Sequence, residues 1–238
     1  MNSISVIIPA FNEQSVILRT INKLRNYFEE MNIDLELIVV NDGSSDNTME
    51  ILNELRGIVV IDNVTNRGKG FSVRSGVMAA TKEWILFTDA DGAIPIDNLA
   101  SFLSLEQDAD VMIGSKYLNP NIEYSLHRKI IGKTFAQIRK SLVGLPYVDT
   151  QCGFKLFKHD AAKSIFNAAT IDGWCFDVEV LCLAMQYHYK IIEVPIYLDP
   201  SFHQSKVNIL TSSTQMLKDL FYIRRKLKNH EYPAASMV

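Results

Sequence analysis

The sequence predicts an α/β fold built on a mostly parallel sheet with helices on both faces. Short β-branched runs alternate with helical patterns through the first half of the chain. Several of these runs are apolar without alternation, as strands buried on both faces are. Polar and glycine-bearing segments follow the first four runs at their carboxyl ends, where open α/β sheets bind ligands. At 238 residues, with 47% apolar and 21% charged residues, the chain has the length and composition of a folded domain with a substantial core.

ISVIIPA (4–10) reads as the first strand, and 13–31 as a helix with Val16, Leu18, Ile21, Leu24 and Phe28 near helical spacing. LELIVVND (35–42) is the second strand. SSDNTMEILNELR (44–56) is a helix entered through polar residues, with Asp46 or Asn47 placed to cap free N–H groups. GIVVIDN (57–63) is the third strand, and GKGFSVRSGVMAAT (68–81) a glycine-rich entry into a helix. EWILFTDA (83–90) and DVMIGSK (110–116) are the fourth and fifth strands. The second half is less regular. It reads as a long basic amphipathic helix over 124–145, a short strand GFKLFK (153–158), helices at 160–166 and 176–189, a strand KIIEVPIYL (190–198) and a last helix over 210–227. No linker interrupts the chain. The expected organisation is one domain over 1–228, with a nucleotide-type half (1–118), an acceptor half (119–228) and a loose tail at 229–238.

The net charge of −3 supplies no global field for nucleic acid, so an anion site must be built locally. Cys152, Cys175 and Cys182 are odd in number and lack C-x-x-C spacing, which suggests reduced thiols rather than a disulfide framework or a zinc site. The apolar run near the N-terminus is not preceded by basic residues and stops at Pro9, so it is not expected to act as a signal peptide. No run of about 18 apolar residues is present, so no membrane-spanning helix is expected.

The tripeptide DAD occurs twice. Asp89 and Asp91 follow the apolar run WILF and so sit at a carboxyl strand end, whereas Asp108 and Asp110 precede VMIG and sit at the opposite edge. Polarity makes the first pair the candidate metal site and the second a solvated loop. PAFNE (9–13), NDGSSD (41–46) and NRGKG (66–70) converge on the rim that carries Asp89 and Asp91. Gly68 and Gly70 are expected to let backbone approach a ligand, and Lys69 at a helix start to favour an anion. Neither a dinucleotide-binding glycine fingerprint nor a P-loop is present. Trp174 and Phe176 are expected mainly to pack in the core.

Taken in order, VIIPAFNE, VVNDGSSDNT, NRGKG, FTDADGA, ADVMIGSK, DTQCGFKLF, GWCFDVEVL and EVPIYL resemble a family-2 glycosyltransferase of the GT-A fold. Within that family, DADGA and DTQCGFKLF are most similar to dolichyl-phosphate and polyprenyl-phosphate β-glucosyltransferases. The resemblance implies a Rossmann-like sheet, an elaborated C-terminal acceptor half, and inverting transfer of a hexose to a polyprenyl or dolichyl phosphate. The implied donor is a nucleotide-sugar, with UDP-glucose expected, and the implied cofactor is Mg2+ or Mn2+. Pro9, Phe11, Glu13 and Asp42 would line the base and ribose pocket, and Lys69 would lie near the nucleotide. Asp89 and Asp91 would hold the metal, Asp91 more directly. Lys116 stands where arginine is usual, keeping the charge and losing the bidentate fork. Ala93 stands where mannosyl relatives often place a glutamine ligand. Asp149 would face the reaction centre, while Lys116, Arg128 with its neighbour Lys129, and Lys206 would meet the acceptor phosphate. The same resemblance implies a cytoplasmic protein, peripheral at the cytoplasmic face of a membrane. Contact would be through basic amphipathic helices or a membrane partner protein. Two alternatives stand beside it: transfer to a polysaccharide, oligosaccharide or protein acceptor, or a non-catalytic sugar-nucleotide-binding subunit.

Overall fold

The computed structural model describes residues 1–120, 122, 126–199 and 209–235, with side chains given outside 126–133 and 209–213. Seven strands form one sheet in the order β3-β2-β1-β4-β6-β5-β7. In chain order they are β1 (Ser3–Ala10), β2 (Asp34–Asn41), β3 (Val59–Asp62), β4 (Trp84–Thr88), β5 (Val111–Ser115), β6 (Phe154–Lys158) and β7 (Ile191–Pro195). Among the described residues the helices are α1 (Ile17–Glu30), α2 (Thr48–Glu54), α3 (Lys69–Ala79), α4 (Leu99–Leu103), α5 (Leu126–Val143), α6 (His159–Ala168), α7 (Phe176–Gln186) and α8 (Ile209–Lys228). The short α4 was not expected from the sequence. Its five residues are too few to show a helical period.

Only β6 runs against the others, paired antiparallel to β4 and β5. This reversal positions the site. Because Thr88 pairs with Phe154, the segment entering β6 arrives at the same rim that β4 leaves. The carboxyl ends of β1, β2 and β3 lie in register beside them, Ala10 with Asn41 and Asn41 with Asp62. Lys116 follows β5 at that rim, where Ser115 pairs with Pro195 of β7.

Alternate residues of each strand feed two cores, one on each side of the sheet. Ile7, Ile38, Val40, Ile85, Phe87, Val111 and Phe157 face α3, α6 and α7. Ile4, Val6, Ile8, Leu37, Val39, Leu86 and Leu156 face α1 and the α4 region. Each large side chain removed from water contributes about 1.5–3 kcal/mol before entropy is charged against it, so a sheet covered on both faces has ample drive. In α1 the buried stripe is Ile17, Ile21, Leu24 and Phe28. Leu18, expected on that stripe, is exposed, because Ile17 takes the place one helical turn before Ile21. Helix α1 begins after a turn in which the Glu13 carbonyl accepts the N–H groups of Val16 and Ile17 at 3.0 Å.

Of the two expected caps of α2, Asp46 fills the role: it accepts the N–H of Thr48, the first residue of the helix, at 3.0 Å, whereas Asn47 makes no side-chain cap. Asp46 also accepts the Gln14 N–H at 3.1 Å, tying two loops together. One further expectation is corrected here. The tail is not loose through its described part. Tyr232 is buried, its hydroxyl donates to Glu179 at 2.8 Å, and Tyr187 donates to the Pro233 carbonyl at 2.9 Å. An aromatic ring with a buried hydrogen-bond partner outweighs the polar composition around it.

Candidate active site

Strand ends and the loops after them build the rim. The loops after β1 and β2 are fastened to each other. Ser45 N–H donates to Asn12 Oδ1 at 2.8 Å, Asn12 N–H to Ser44 Oγ at 3.0 Å, and Glu13 N–H to Thr48 Oγ1 at 2.8 Å. Asn12 adopts φ 56°, a left-handed conformation asparagine tolerates. Pro9 and Glu13 are half-buried in this assembly, and Phe11 presents its ring to solvent. Asp42 is buried and holds the NRGKG loop, accepting the N–H groups of Arg67 at 3.0 Å and Gly68 at 2.9 Å and the Asn63 amide at 3.0 Å. It thus ties that loop to the carboxyl end of β2.

The glycines of NRGKG make close approaches within the chain itself. Gly68 has φ +100°, and a Cβ there would lie 2.5 Å from the Asp172 carbonyl oxygen. A Cβ on Gly70 would lie 2.5 Å from the Ile171 carbonyl oxygen. The start of α3 is pressed against the loop before α7, and only glycine permits that approach.

Lys69, at the first position of α3, reaches Asp89 Oδ1 at 2.6 Å. Its ammonium lies 5.1 Å from the Phe87 ring centroid and 5.2 Å from that of Trp174. Burial alone would drive this lysine towards neutrality. The neighbouring Asp89, helped by Asp177 and Asp91, prevails and holds its pKa above the ordinary lysine value. Asp91 accepts the Ala93 N–H at 2.9 Å in the turn after β4. Beneath Lys69 lies a second pair, Lys155 of β6 with Asp177 of α7, both buried; Lys155 also donates to the Cys152 carbonyl at 2.5 Å. Burial pushes the Asp177 carboxyl up, against the pull of Lys155 and Lys69. Positive and negative charges therefore alternate from Lys155 up to Asp89, each desolvated charge facing an opposite one.

A second cluster stands along the rim. Asp149 is buried; its Oδ2 accepts the Lys116 N–H at 3.2 Å and lies 3.9 Å from Lys116 Nζ. Glu193 of β7 accepts the N–H groups of Val148 and Asp149 at 2.9 and 3.0 Å, fixing the turn. Arg139 of α5 is buried behind it, donating to Thr150 Oγ1 at 2.8 Å and to the Tyr147 carbonyl. The buried thiol of Cys152 lies within the electrostatic reach of both clusters. Burial first, then Asp149, pushes it up to about 12.

The structure thus brings together Pro9, Phe11, Glu13, Asp42, Lys69, Asp89 and Asp91 on one edge, and Lys116 with Asp149 beside them. The side chains of Arg128 and Lys129, and all of Lys206, lie outside the described residues. The sequence reading missed Asp177, Lys155, Arg139, Glu193 and Gly153. A Cβ on Gly153 would collide with the Asp89 carboxylate, so this glycine is what seats the first aspartate of the DAD. Its signal was present as the glycine of DTQCGF, but only the β4–β6 pairing shows what it faces. Trp174 is corrected as well. It is exposed beside Lys69 rather than packed in the core, while Phe176 is buried edge-to-face on Phe87. The second DAD is structural. Asp110 accepts from Lys158 Nζ and the Lys190 N–H, both at 2.9 Å, and Asp108 lies 3.9 Å from Lys190.

No third His, Cys, Asp or Glu joins Asp89 and Asp91 in a metal-binding group among the described residues. Two carboxylates at a strand end suit a hard divalent ion that draws its remaining ligands from substrate phosphate and water, and in that sense the donor set fits Mg2+ or Mn2+.

The sequence profile described as Glycosyl transferase family 2 matches residues 5–166, which include both rim loops, the DAD at Asp89–Asp91 and strand β6. The chain belongs to that family. The glycosyltransferase relatives include a dolichyl-phosphate beta-glucosyltransferase of Saccharomyces cerevisiae, 33% identical over 93% of this chain and 74% of its own length. A Trichomonas vaginalis protein of the same name is 32% identical over 81% of this chain and 64% of its own length. The chain therefore spans about two thirds of the length of the Trichomonas relative. Among solved structures, glucosyl-3-phosphoglycerate synthase of Mycobacterium tuberculosis, in complex with Mn2+, UDP and glucosyl-3-phosphoglycerate, superposes with a TM-score of 0.65. It is 16% identical, with 93% of this chain and 78% of that chain covered. That likeness establishes the GT-A fold. No described helix of this family-2 glycosyltransferase chain is long and apolar enough to cross a membrane.

Proposed function

We propose that the chain transfers a hexose, glucose from UDP-glucose, to a polyprenyl or dolichyl phosphate with inversion at the anomeric carbon. The observation that carries this reading is the Lys69–Asp89 pair with Asp91 at the carboxyl rim, in a chain similar over 93% of its length to a dolichyl-phosphate beta-glucosyltransferase. In this reading the exposed face of Phe11, with Pro9 and Glu13, receives the base and ribose, and Asp42 keeps the loop beneath them in place. Asp91, with Asp89, would hold Mg2+ or Mn2+, which when bound supplies positive charge to the departing diphosphate. Lys69 adds fixed positive charge in a site where little solvent competes.

The acceptor phosphate is largely dianionic near pH 7, so the chain needs no strong base. Its task is alignment. A phosphate oxygen attacks the anomeric carbon from the face opposite the diphosphate, the new carbon–oxygen bond forms, the old one breaks, and UDP leaves with its electron pair. Lys116, with Arg128 and Lys206, would hold the acceptor phosphate, and Asp149 would orient Lys116. The exposed outer face of α8, with Phe221, Arg224, Arg225 and Lys228, suits peripheral contact with an anionic membrane surface.

The test is a donor panel. Purified protein, polyprenyl phosphate and Mg2+ or Mn2+ are supplied with UDP-glucose, GDP-mannose or UDP-N-acetylglucosamine. A glycolipid from UDP-glucose, absent without metal, is expected. A product from GDP-mannose alone would overturn the sugar assignment, and UDP-glucose binding without lipid product would overturn the acceptor.

A further inference from the structure

Glu179 is a fully buried carboxylate, and its side-chain hydrogen bonds point to one task. Its Oε2 accepts the N–H groups of Thr170 at 2.8 Å and Ile171 at 2.7 Å. Its Oε1 accepts the Thr170 and Tyr232 hydroxyls, both at 2.8 Å. Tyr232 comes from the tail, beyond the last helix, and Lys226 of α8 lies 4.3 Å from its ring centroid. Tyr222 of α8 also lies 3.3 Å from the Thr170 hydroxyl. Four donors on one buried carboxylate leave little freedom to the segment it holds.

That segment leads to the rim. The Asp172 carbonyl accepts the Phe71 N–H at 3.2 Å, and Arg74 of α3 pairs with the Asp172 carboxylate. Gly68 and Gly70 lie against the Asp172 and Ile171 carbonyls on either side of Lys69. The first turn of α3, which carries Lys69 to Asp89, is therefore clamped by a loop that Glu179 holds and Tyr232 closes from below.

We propose that Tyr232 and Glu179 are positioning residues for Lys69: the tail, by docking Tyr232 on Glu179, sets the 169–173 loop and through it the placement of the Lys69 ammonium for donor binding. The donor clause rests on the function proposed above; the mechanical clause does not. Cutting one hydrogen bond to a buried charge loosens the clamp without emptying the core, and Tyr232→Phe does this with the ring retained.

The experiment compares wild type, Tyr232→Phe and Ile21→Val, the last a core substitution on the opposite face of the sheet. Amide exchange and UDP affinity in the presence of Mn2+ are both recorded on the full chain. In Tyr232→Phe the amides of Thr170, Ile171 and Phe71 are expected to exchange about tenfold faster, while those of β2 keep their wild-type rates. UDP affinity should fall roughly three- to tenfold in Tyr232→Phe and stay unchanged in Ile21→Val, even where Ile21→Val lowers the melting temperature as much. Unchanged exchange at Phe71, or acceleration spread evenly over all amides, would overturn the clamp. Local acceleration with unchanged UDP affinity would overturn the placement of Lys69 by the tail. If wild type bound no UDP, the functional proposal would fall, and the exchange pattern would still decide the mechanical clause.

Discussion

Gly153 lacks a side chain where the Asp89 carboxylate needs the space. Adding one methyl group there displaces the aspartate that pairs with Lys69, so the residue sets the Lys69–Asp89 pair from the entrance to the neighbouring strand β6. Gly153→Ala is expected to lower kcat/KM for transfer about 100-fold, the scale of a misplacement of an ångström, with the fold retained in circular dichroism. Activity within a few-fold of wild type would show that Asp89 can move freely. Asp110, in the other DAD, carries a different prediction. Burial works against its charge, but the Lys190 N–H and the Lys158 ammonium hold its carboxyl below the ordinary value of 3.8. A depressed folded pKa means that the unfolded chain binds this proton more readily. The stabilisation from Asp110 is therefore complete above pH 4 to 5 and disappears as pH falls through the depressed value. Chemical denaturation of wild type and Asp110→Asn should show a stability gap at pH 6 that closes towards pH 2, and a gap independent of pH would refute it. Transfer activity should be the same in both proteins, since Asp110 lies at the far edge of the sheet.

Among the elements, β6 and α7 do what the sequence displayed least clearly. Both segments were read correctly as a strand and a helix, yet neither their direction nor their partnership was visible. The runs GFKLFK and FDVE each carry a charge that would be costly to bury alone. The structure places Lys155 of one against Asp177 of the other, so each is the reason the other is tolerated. Asp177→Leu should destabilise the chain by about 3–5 kcal/mol, because it leaves Lys155 buried without a partner. Lys155→Met with Asp177→Leu should recover most of that loss in a denaturant titration. A double variant as unstable as the single one would mean that the pair has a role beyond mutual neutralisation. Helix α5 teaches a similar lesson. Nothing in its basic amphipathic pattern sets Arg139 apart, yet Arg139 is buried among backbone carbonyls and the Thr150 hydroxyl, because the turn holding Asp149 folds back over it.

For the whole molecule, strand periodicity and strand-end chemistry made the front half and its rim legible. The polarity of WILF and VMIG alone separated the DAD at the carboxyl rim from the one at the opposite edge. Whatever depends on long-range closure was not legible: the reversal of β6, the placement of Trp174 beside Lys69, and the tail that returns to Glu179. In helix α8, Leu220 and Ile223 are buried in the core, whereas Leu217 and Phe221 point outward alongside Arg224, Arg225 and Lys228. If that face meets a membrane, each basic residue contributes about 1 kcal/mol on an anionic surface. Arg224→Glu with Arg225→Glu should then reduce sedimentation with phosphatidylserine vesicles by tenfold or more, and have no effect with neutral vesicles. Equal binding to both vesicle types would place the contact elsewhere.

The measurement closest to the central claim is formation of labelled glycolipid from radioactive UDP-glucose and polyprenyl phosphate, by wild type and Asp91→Asn, with and without Mn2+. The account predicts a product from wild type only when the metal is present. It also predicts a loss of about 100-fold or more in Asp91→Asn, the scale seen when one transition-state charge stabiliser is removed. Product formed equally well by Asp91→Asn, or without any divalent ion, would contradict the assignment of the rim as a metal-assisted donor site.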